Sequence, residues 1–247
     1  MSRALITFNQ LSVSFAADKS RVRAVQEVSF TIRAGQTVGV VGESGCGKSV
    51  TALSLMGLLP PQAARIDGGE ILFAGQDLLR LNKARMADLR GNQLAMIFQE
   101  PMSALNPVLT VGEQLCEPLI RHRGESPKLA WQHAIQLLAD VGLARADSLM
   151  ASYPHQLSGG MLQRVMIAMA LSCQPKLLIA DEPTTALDVT VQAQILRLLR
   201  DQARANRMAM MLITHDLGVI AQMAEHVVVM YAGRIVEQGA TADILRN

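Results

Sequence analysis

The run Thr37-Val38-Gly39-Val40-Val41 is almost continuously apolar, which marks a strand covered on both faces. It passes directly into Gly42-Glu43-Ser44-Gly45-Cys46-Gly47-Lys48-Ser49, and a helical period follows from Ser49 to Leu58, predicted to stop at Pro60-Pro61. The form G-x-x-x-x-G-K-[ST] between a buried strand and a helix constrains this chain more than any other feature. Glycines let successive backbone N–H groups converge on phosphate oxygens, and the helix N-terminus adds its positive dipole. Lys48 brings a full charge, and the Ser49 hydroxyl is the expected ligand of a phosphate-bound Mg²⁺.

Around this unit, short β-branched runs alternate with helical periods, the pattern of an α/β fold with a mostly parallel sheet. Leu11 to Phe15 and Val25 to Ile32 alternate apolar and polar residues, predicting an antiparallel hairpin with one buried face. Further buried strands are predicted at Leu94 to Phe98, Leu177 to Ala180, Met210 to Thr214 and Val227 to Tyr231. Between Glu100 and Ser172 the strand signal gives way to amphipathic stretches at Val111 to Ile120, Leu129 to Val141 and Met161 to Leu171. A further helix is predicted from Val189 to Ala205. The expected organisation is one domain over 1–247. A core of 1–98 and 173–247 carries the N-terminal antiparallel β subdomain, and an α-helical subdomain is inserted at 99–172.

Composition removes several function classes. The net charge is +2 with basic residues scattered, and aromatics are 3%, so neither a phosphate-neutralising footprint nor a base-stacking platform is present and no nucleic-acid partner is expected. The longest apolar run, Val165 to Leu171, is far short of the ~20 residues needed to cross a bilayer. Met1 to Thr7 lacks the apolar core of a secretory signal, which predicts a cytoplasmic chain. Three widely spaced cysteines suggest reduced thiols rather than a disulfide framework. Cys46, inside the glycine loop, is expected to be the reactive one, with Cys116 and Cys173 kept inert by burial.

Other segments gain meaning beside the loop. Leu177 to Ala180 leads into Asp181 and Glu182, either an ordinary polar strand end or a pair facing the phosphates. In the second case Asp181 serves Mg²⁺ and Glu182 takes a proton from the water that attacks the γ-phosphate. Ser158-Gly159-Gly160 is either a plain N-cap with a permissive entry or a second anion-binding nest. His215 and Gln99 end two further strands, as capping residues or as ligands of phosphate, water and metal. Phe15 reads as core or as a stacking surface.

Together these segments resemble the nucleotide-binding subunit of ABC transporters over the whole chain. Walker A (Gly42 to Ser49), Q-loop Gln99, signature Leu157 to Met161, Walker B (Leu177 to Glu182), D-loop Ala186 to Asp188 and His-loop His215 occur in the family's order. The resemblance implies an ATPase using ATP and Mg²⁺. Phe15 would stack on adenine, while Gly42, Glu43, Ser44, Gly45, Cys46, Gly47, Lys48, Ser49 and Val50 would hold the phosphates. Ser158, Gly159, Gly160 and Asp188 would meet nucleotide on a partner subunit. Ser49, Gln99 and Asp181 would serve the metal, and Glu182, His215 and Gln99 the chemistry.

Finer text such as Ile97 to Met102, Tyr153 to Leu157 and Val229 to Gly233 is similar to the peptide/nickel importer branch. That branch implies two transmembrane permease subunits, a second ATP-binding subunit, identical or related, a solute-binding protein acting indirectly, and a peripheral place on the cytoplasmic face of the inner membrane. Met161 stands where the signature usually has Gln, and Thr185 where Ser is common. The sequence also stops at Asn247, where many peptide-transporting members continue with a cysteine-containing tail, as expected of a short nickel-type or truncated member. Rival readings are an ABC ATPase without a membrane partner and a P-loop kinase, the second of which leaves Leu157 to Gly160 without a role.

Overall fold

The computed structural model describes residues 4–17, 20–184 and 187–246. Met1 to Arg3, Thr185, Ala186 and Asn247, on which parts of the sequence reading fell, lie outside the described residues. The chain divides into two compact units, 1–87 with 207–247, and 88–206.

The first unit opens with β1 (Ala4–Ala17) and β2 (Ser20–Arg33), an antiparallel hairpin in which Phe8 faces Phe30 and their rings stack at 4.4 Å between centroids. Both strands run well beyond the alternating stretches that predict them. β3 (Thr37–Val41) is buried at every position, as a doubly covered strand must be. Next comes α1 (Lys48–Met56). It ends at Gly57, whose φ of 61° places it in the left-handed region and whose N–H returns to the Leu53 and Ser54 carbonyls. The helix therefore stops three residues before Pro60-Pro61.

β4 (Ala64–Phe73), absent from the sequence reading, pairs antiparallel with β1, and the two-residue β5 (Gln76–Asp77) completes a sheet of order β2-β1-β4-β5. Its pattern was obscured by Gly68-Gly69 and by register shifts opposite Asn9 to Val13. Gly69 is required there: its φ is 90°, and a Cβ would stand 2.5 Å from the Gln10 carbonyl. α2 (Lys83–Leu89) follows.

The second unit contains β6 (Leu94–Ile97), then α3 (Pro101–Ala104), α4 (Val111–Arg123), α5 (Pro127–Asp140), α6 (Ala146–Leu149) and α7 (Gly159–Leu171). It closes with β7 (Leu177–Asp181), parallel to β6, and α8 (Val189–Asn206). α4 begins at a reciprocal cap in which Thr110 Oγ1 accepts from the Glu113 N–H at 3.2 Å and the Glu113 carboxylate accepts from the Thr110 N–H at 2.7 Å.

The chain then returns to the first unit with β8 (Ala209–Ile213), α9 (Leu217–Met223), β9 (His226–Tyr231), β10 (Arg234–Ala240) and α10 (Thr241–Ile244). Here β3 lies parallel between β8 and β9, and β10 is an antiparallel edge. Gly39 makes the layer possible: a Cβ would press into Ile220 Cδ1 of α9 at 2.5 Å. Among the described residues no helix is long and apolar enough to cross a membrane.

Candidate functional site

In the first unit, residues 42–47 turn the chain from β3 into α1. Gly42, Gly45 and Gly47 have φ values of 151°, 79° and 105°, which L side chains rarely adopt. Space excludes side chains as well. A Cβ on Gly47 would stand 2.5 Å from the Ala24 carbonyl, and one on Gly42 would collide with the Met230 carbonyl and the Cys46 sulfur. Lys48 is 6% exposed, and its ammonium donates to the carbonyls of Gly42 at 2.7 Å and Glu43 at 2.8 Å. Nζ also lies 3.7 Å from Cys46 Sγ, so the charge sits at the hub of the turn. Glu43, Ser44 and Gly45 are exposed, and Ser49 and Val50 half-buried. The open rim, glycine torsions and central cation form a cradle that fits a chain of phosphates.

Cys46 departs from the expectation. Its side chain is 4% exposed and packed against Gly42, out of reach of solvent. Burial raises the Cys116 and Cys173 thiols, but Cys173 is only half-buried. A brief maleimide exposure of the native chain is therefore expected to modify Cys173 before Cys46, read by peptide mapping. Rapid labelling of Cys46 that MgATP prevents would contradict this placement.

β8 runs parallel to β3 with Val40 opposite Ile213, and the Thr214 N–H donates to the Val40 carbonyl at 3.3 Å. His215, exposed, therefore follows at the carboxyl edge from which the glycine loop also leaves. Asp216 next to it caps α9 by accepting from the N–H groups of Gly218 and Val219. Phe15 lies half-buried on β1, opposite Val22 and Ala64.

In the second unit, the parallel register of Ile97 with Ala180 brings the residues two positions further along into contact. Gln99 Nε2 donates to the Glu182 carboxylate at 3.1 Å. Asp181 ends β7 and is buried. Glu182 has φ 47°, a left-handed conformation that costs a non-glycine residue about 1–3 kcal/mol and persists only where the surroundings impose it. Ser158 caps α7 by accepting from the Met161 N–H at 3.4 Å, and Gly159 and Gly160 lie at least partly exposed in that first turn. The Met161 substitution leaves this cap and both glycines intact. Asp188 is exposed, and its carboxylate accepts from the Val191 N–H at 2.9 Å. The position of Gln163 on a helix assigns it no role by itself. Its amide donates to the Pro183 carbonyl at 2.5 Å, next to Glu182, a contact between residues 20 apart that no local pattern announces.

A trough of about 470 Å³ on the antiparallel sheet, lined by Ser12, Ser14, Arg21, Arg65, Asp67 and Arg234 among others, is tied together by its own hydrogen bonds. Arg65 donates to Asp67 at 2.8 Å, Arg21 to Ser14 and Arg234 to Gln26. Hydrogen bonds from Ser14 and Arg65 hold the Asp67 carboxyl below the usual range.

The ABC transporter family profile matches residues 25–185. The dipeptide transport ATP-binding protein DppD of Bacillus subtilis is 52% identical over 97% of this chain and 72% of its own length. The oligopeptide transport ATP-binding protein OppD of Salmonella typhimurium is also 52% identical, over 98% of this chain and 72% of its own. This chain belongs to the ABC transporter ATP-binding proteins. Among solved structures, a dimeric post-hydrolysis state of the ATP-binding cassette MJ0796 bound to ADP and Pi matches with a TM-score of 0.86. It is 26% identical, covering 96% of this chain and 98% of that one. As an ABC ATPase the chain hydrolyses ATP. The nucleotide is taken with Mg²⁺, and the Ser49 hydroxyl and Asp181 carboxylate are hard oxygen donors of the kind that ion accepts beside phosphate oxygens and water.

Proposed function

We propose that this chain powers uptake of peptides. It would pair with a second ATP-binding subunit beneath two transmembrane permeases, on the cytoplasmic face of the inner membrane, with a solute-binding protein delivering cargo. The observation that carries the reading is 52% identity along 97% of the chain to a dipeptide transport ATP-binding protein. Residues 99–172 form the helical segment that passes motion to the permeases.

In this reading Gly42 to Val50 hold the phosphates, with Lys48 as the point charge, and Phe15 supports the adenine. Ser49, Asp181 and Gln99 serve Mg²⁺, which neutralises phosphate charge when bound. Gln99 orients the Glu182 carboxylate through the 3.1 Å hydrogen bond. Glu182 removes a proton from water as the water oxygen bonds to the γ-phosphorus and the bond to the β-phosphate oxygen breaks, releasing ADP and phosphate. His215 donates to the γ-phosphate as its charge rearranges. Ser158, Gly159, Gly160 and Asp188 contact nucleotide held by the partner subunit, so two chains complete each site.

Mixing variants tests the shared arrangement. Ser158→Arg and Lys48→Ala are each expected to be inactive as homodimers. A mixed dimer gathers both lesions in one site and leaves the other whole, so mixing is expected to restore a substantial part of the activity. Mixed dimers that form and stay inactive would refute sharing between subunits. For the cargo, the full chain co-expressed with the transmembrane permeases it is proposed to serve is expected to copurify with them. Its ATPase in liposomes should rise with peptide-loaded binding protein. Stimulation by nickel and not by peptide would overturn the peptide assignment.

A further inference from the structure

We propose that Gln163 is a positioning residue for the general base, acting on its backbone while Gln99 acts on its carboxylate. The inference rests on the reading of Glu182 as that base. Gln163 lies on the second turn of α7, is 3% exposed, and directs Nε2 to the Pro183 carbonyl at 2.5 Å. A carbonyl only accepts, so the amide must present its NH₂ there, which fixes the orientation of the side chain.

Pro183 follows Glu182 directly, and Glu182 holds a left-handed φ of 47° just beyond the last residue of β7. The strand ladder anchors the chain up to Ala180 through its pairing with Ile97, and the Gln163 amide anchors it again at 183. The unfavourable torsion is thus clamped from both sides. α7 is itself fixed, since Arg164 donates to the Val141 carbonyl and to Gln194 Oε1, each at 2.6 Å. The clamp is therefore built from a rigid element that starts at Ser158, and released on one side, Glu182 can relax to ordinary torsions that carry its carboxylate away from Gln99.

The phosphate cradle lies on residues 42–50, so loss of this amide leaves nucleotide capture alone and acts on turnover. A misplacement of about 1 Å at a reacting group costs on the order of 100-fold. Gln163→Met fills the same space without a donor. In the full chain its single-turnover rate is expected to fall on the order of 100-fold, with the Kd for MgATP unchanged. Gln163→His, whose ring Nε2–H reaches a similar point, is expected to restore most of the rate. A residue that only packs would show the reverse, with Met tolerated and His not.

A Gln163→Met rate within about fivefold of wild type, a parallel loss of affinity and rate, or a His variant as slow as the Met variant would each overturn the proposal. If Gln163→Met does not fold, Gln163→Ala takes its place in the same comparison. Glu182→Gln, measured alongside, separates the two failures. If it turns over normally the base assignment falls and this inference with it, whereas an inactive Glu182→Gln beside a normal Gln163→Met refutes the positioning role alone.

Discussion

Glu182→Gln is expected to bind MgATP with near-native affinity and to lose at least about 100-fold in turnover, the lower end of what a positioned general base supplies. That factor corresponds to about 2.7 kcal/mol of barrier. The surroundings favour a clean result. The Gln99 amide donates to the Glu182 carboxylate at 3.1 Å, and the Oε1 of a glutamine there accepts the same hydrogen bond, so the side chain keeps its place. The ability to take a proton is removed. Removing the negative charge also relieves repulsion toward the γ-phosphate, so the ATP-bound dimer is expected to accumulate and to elute as a dimer in size-exclusion chromatography with MgATP. Turnover within about tenfold of wild type would remove Glu182 from the role of base.

Legibility followed the range of the forces involved. The strand, glycine loop and helix from Thr37 to Met56 were readable because every constraint is local: continuous apolarity, three left-handed glycines, a cation at the hub. β4 was hidden because its order comes from β1 across a shifted register, while its own sequence carries Gly68-Gly69 and three charged residues, Arg65, Asp67 and Glu70. The end of α1 was assigned to the prolines when Gly57 had already closed it, a reminder that a left-handed cap acts earlier than a steric block. Cys46 was misjudged because the loop's potential was legible and the direction of its side chain was not. The meeting of Gln99 with Glu182 depends on parallel pairing of β6 with β7, which periodicity does not encode; motif order supplied both residues, and register supplied the contact.

Lys48→Ala is expected to act on binding itself, weakening equilibrium affinity for MgATP at least tenfold, in line with the roughly 1.5–3 kcal/mol of a hydrogen bond to a charged group. In the folded chain the ammonium is 6% exposed and held by the carbonyls of Gly42 and Glu43. Its removal therefore withdraws both the charge facing the phosphates and the tie that draws the rim of the loop around it. Glu43 is exposed and Gly42 half-buried, so water can serve the released carbonyls. The melting temperature without nucleotide is accordingly expected to change little, while the stabilisation conferred by MgATP shrinks with the affinity. The affinity of the variant should also depend less steeply on salt than that of the wild type, because one fixed cation no longer contributes. Titration calorimetry at two ionic strengths decides the matter. A Kd within about threefold of wild type, or an unchanged salt dependence, would show that the loop N–H groups and the α1 dipole suffice and that Lys48 holds the loop's shape alone.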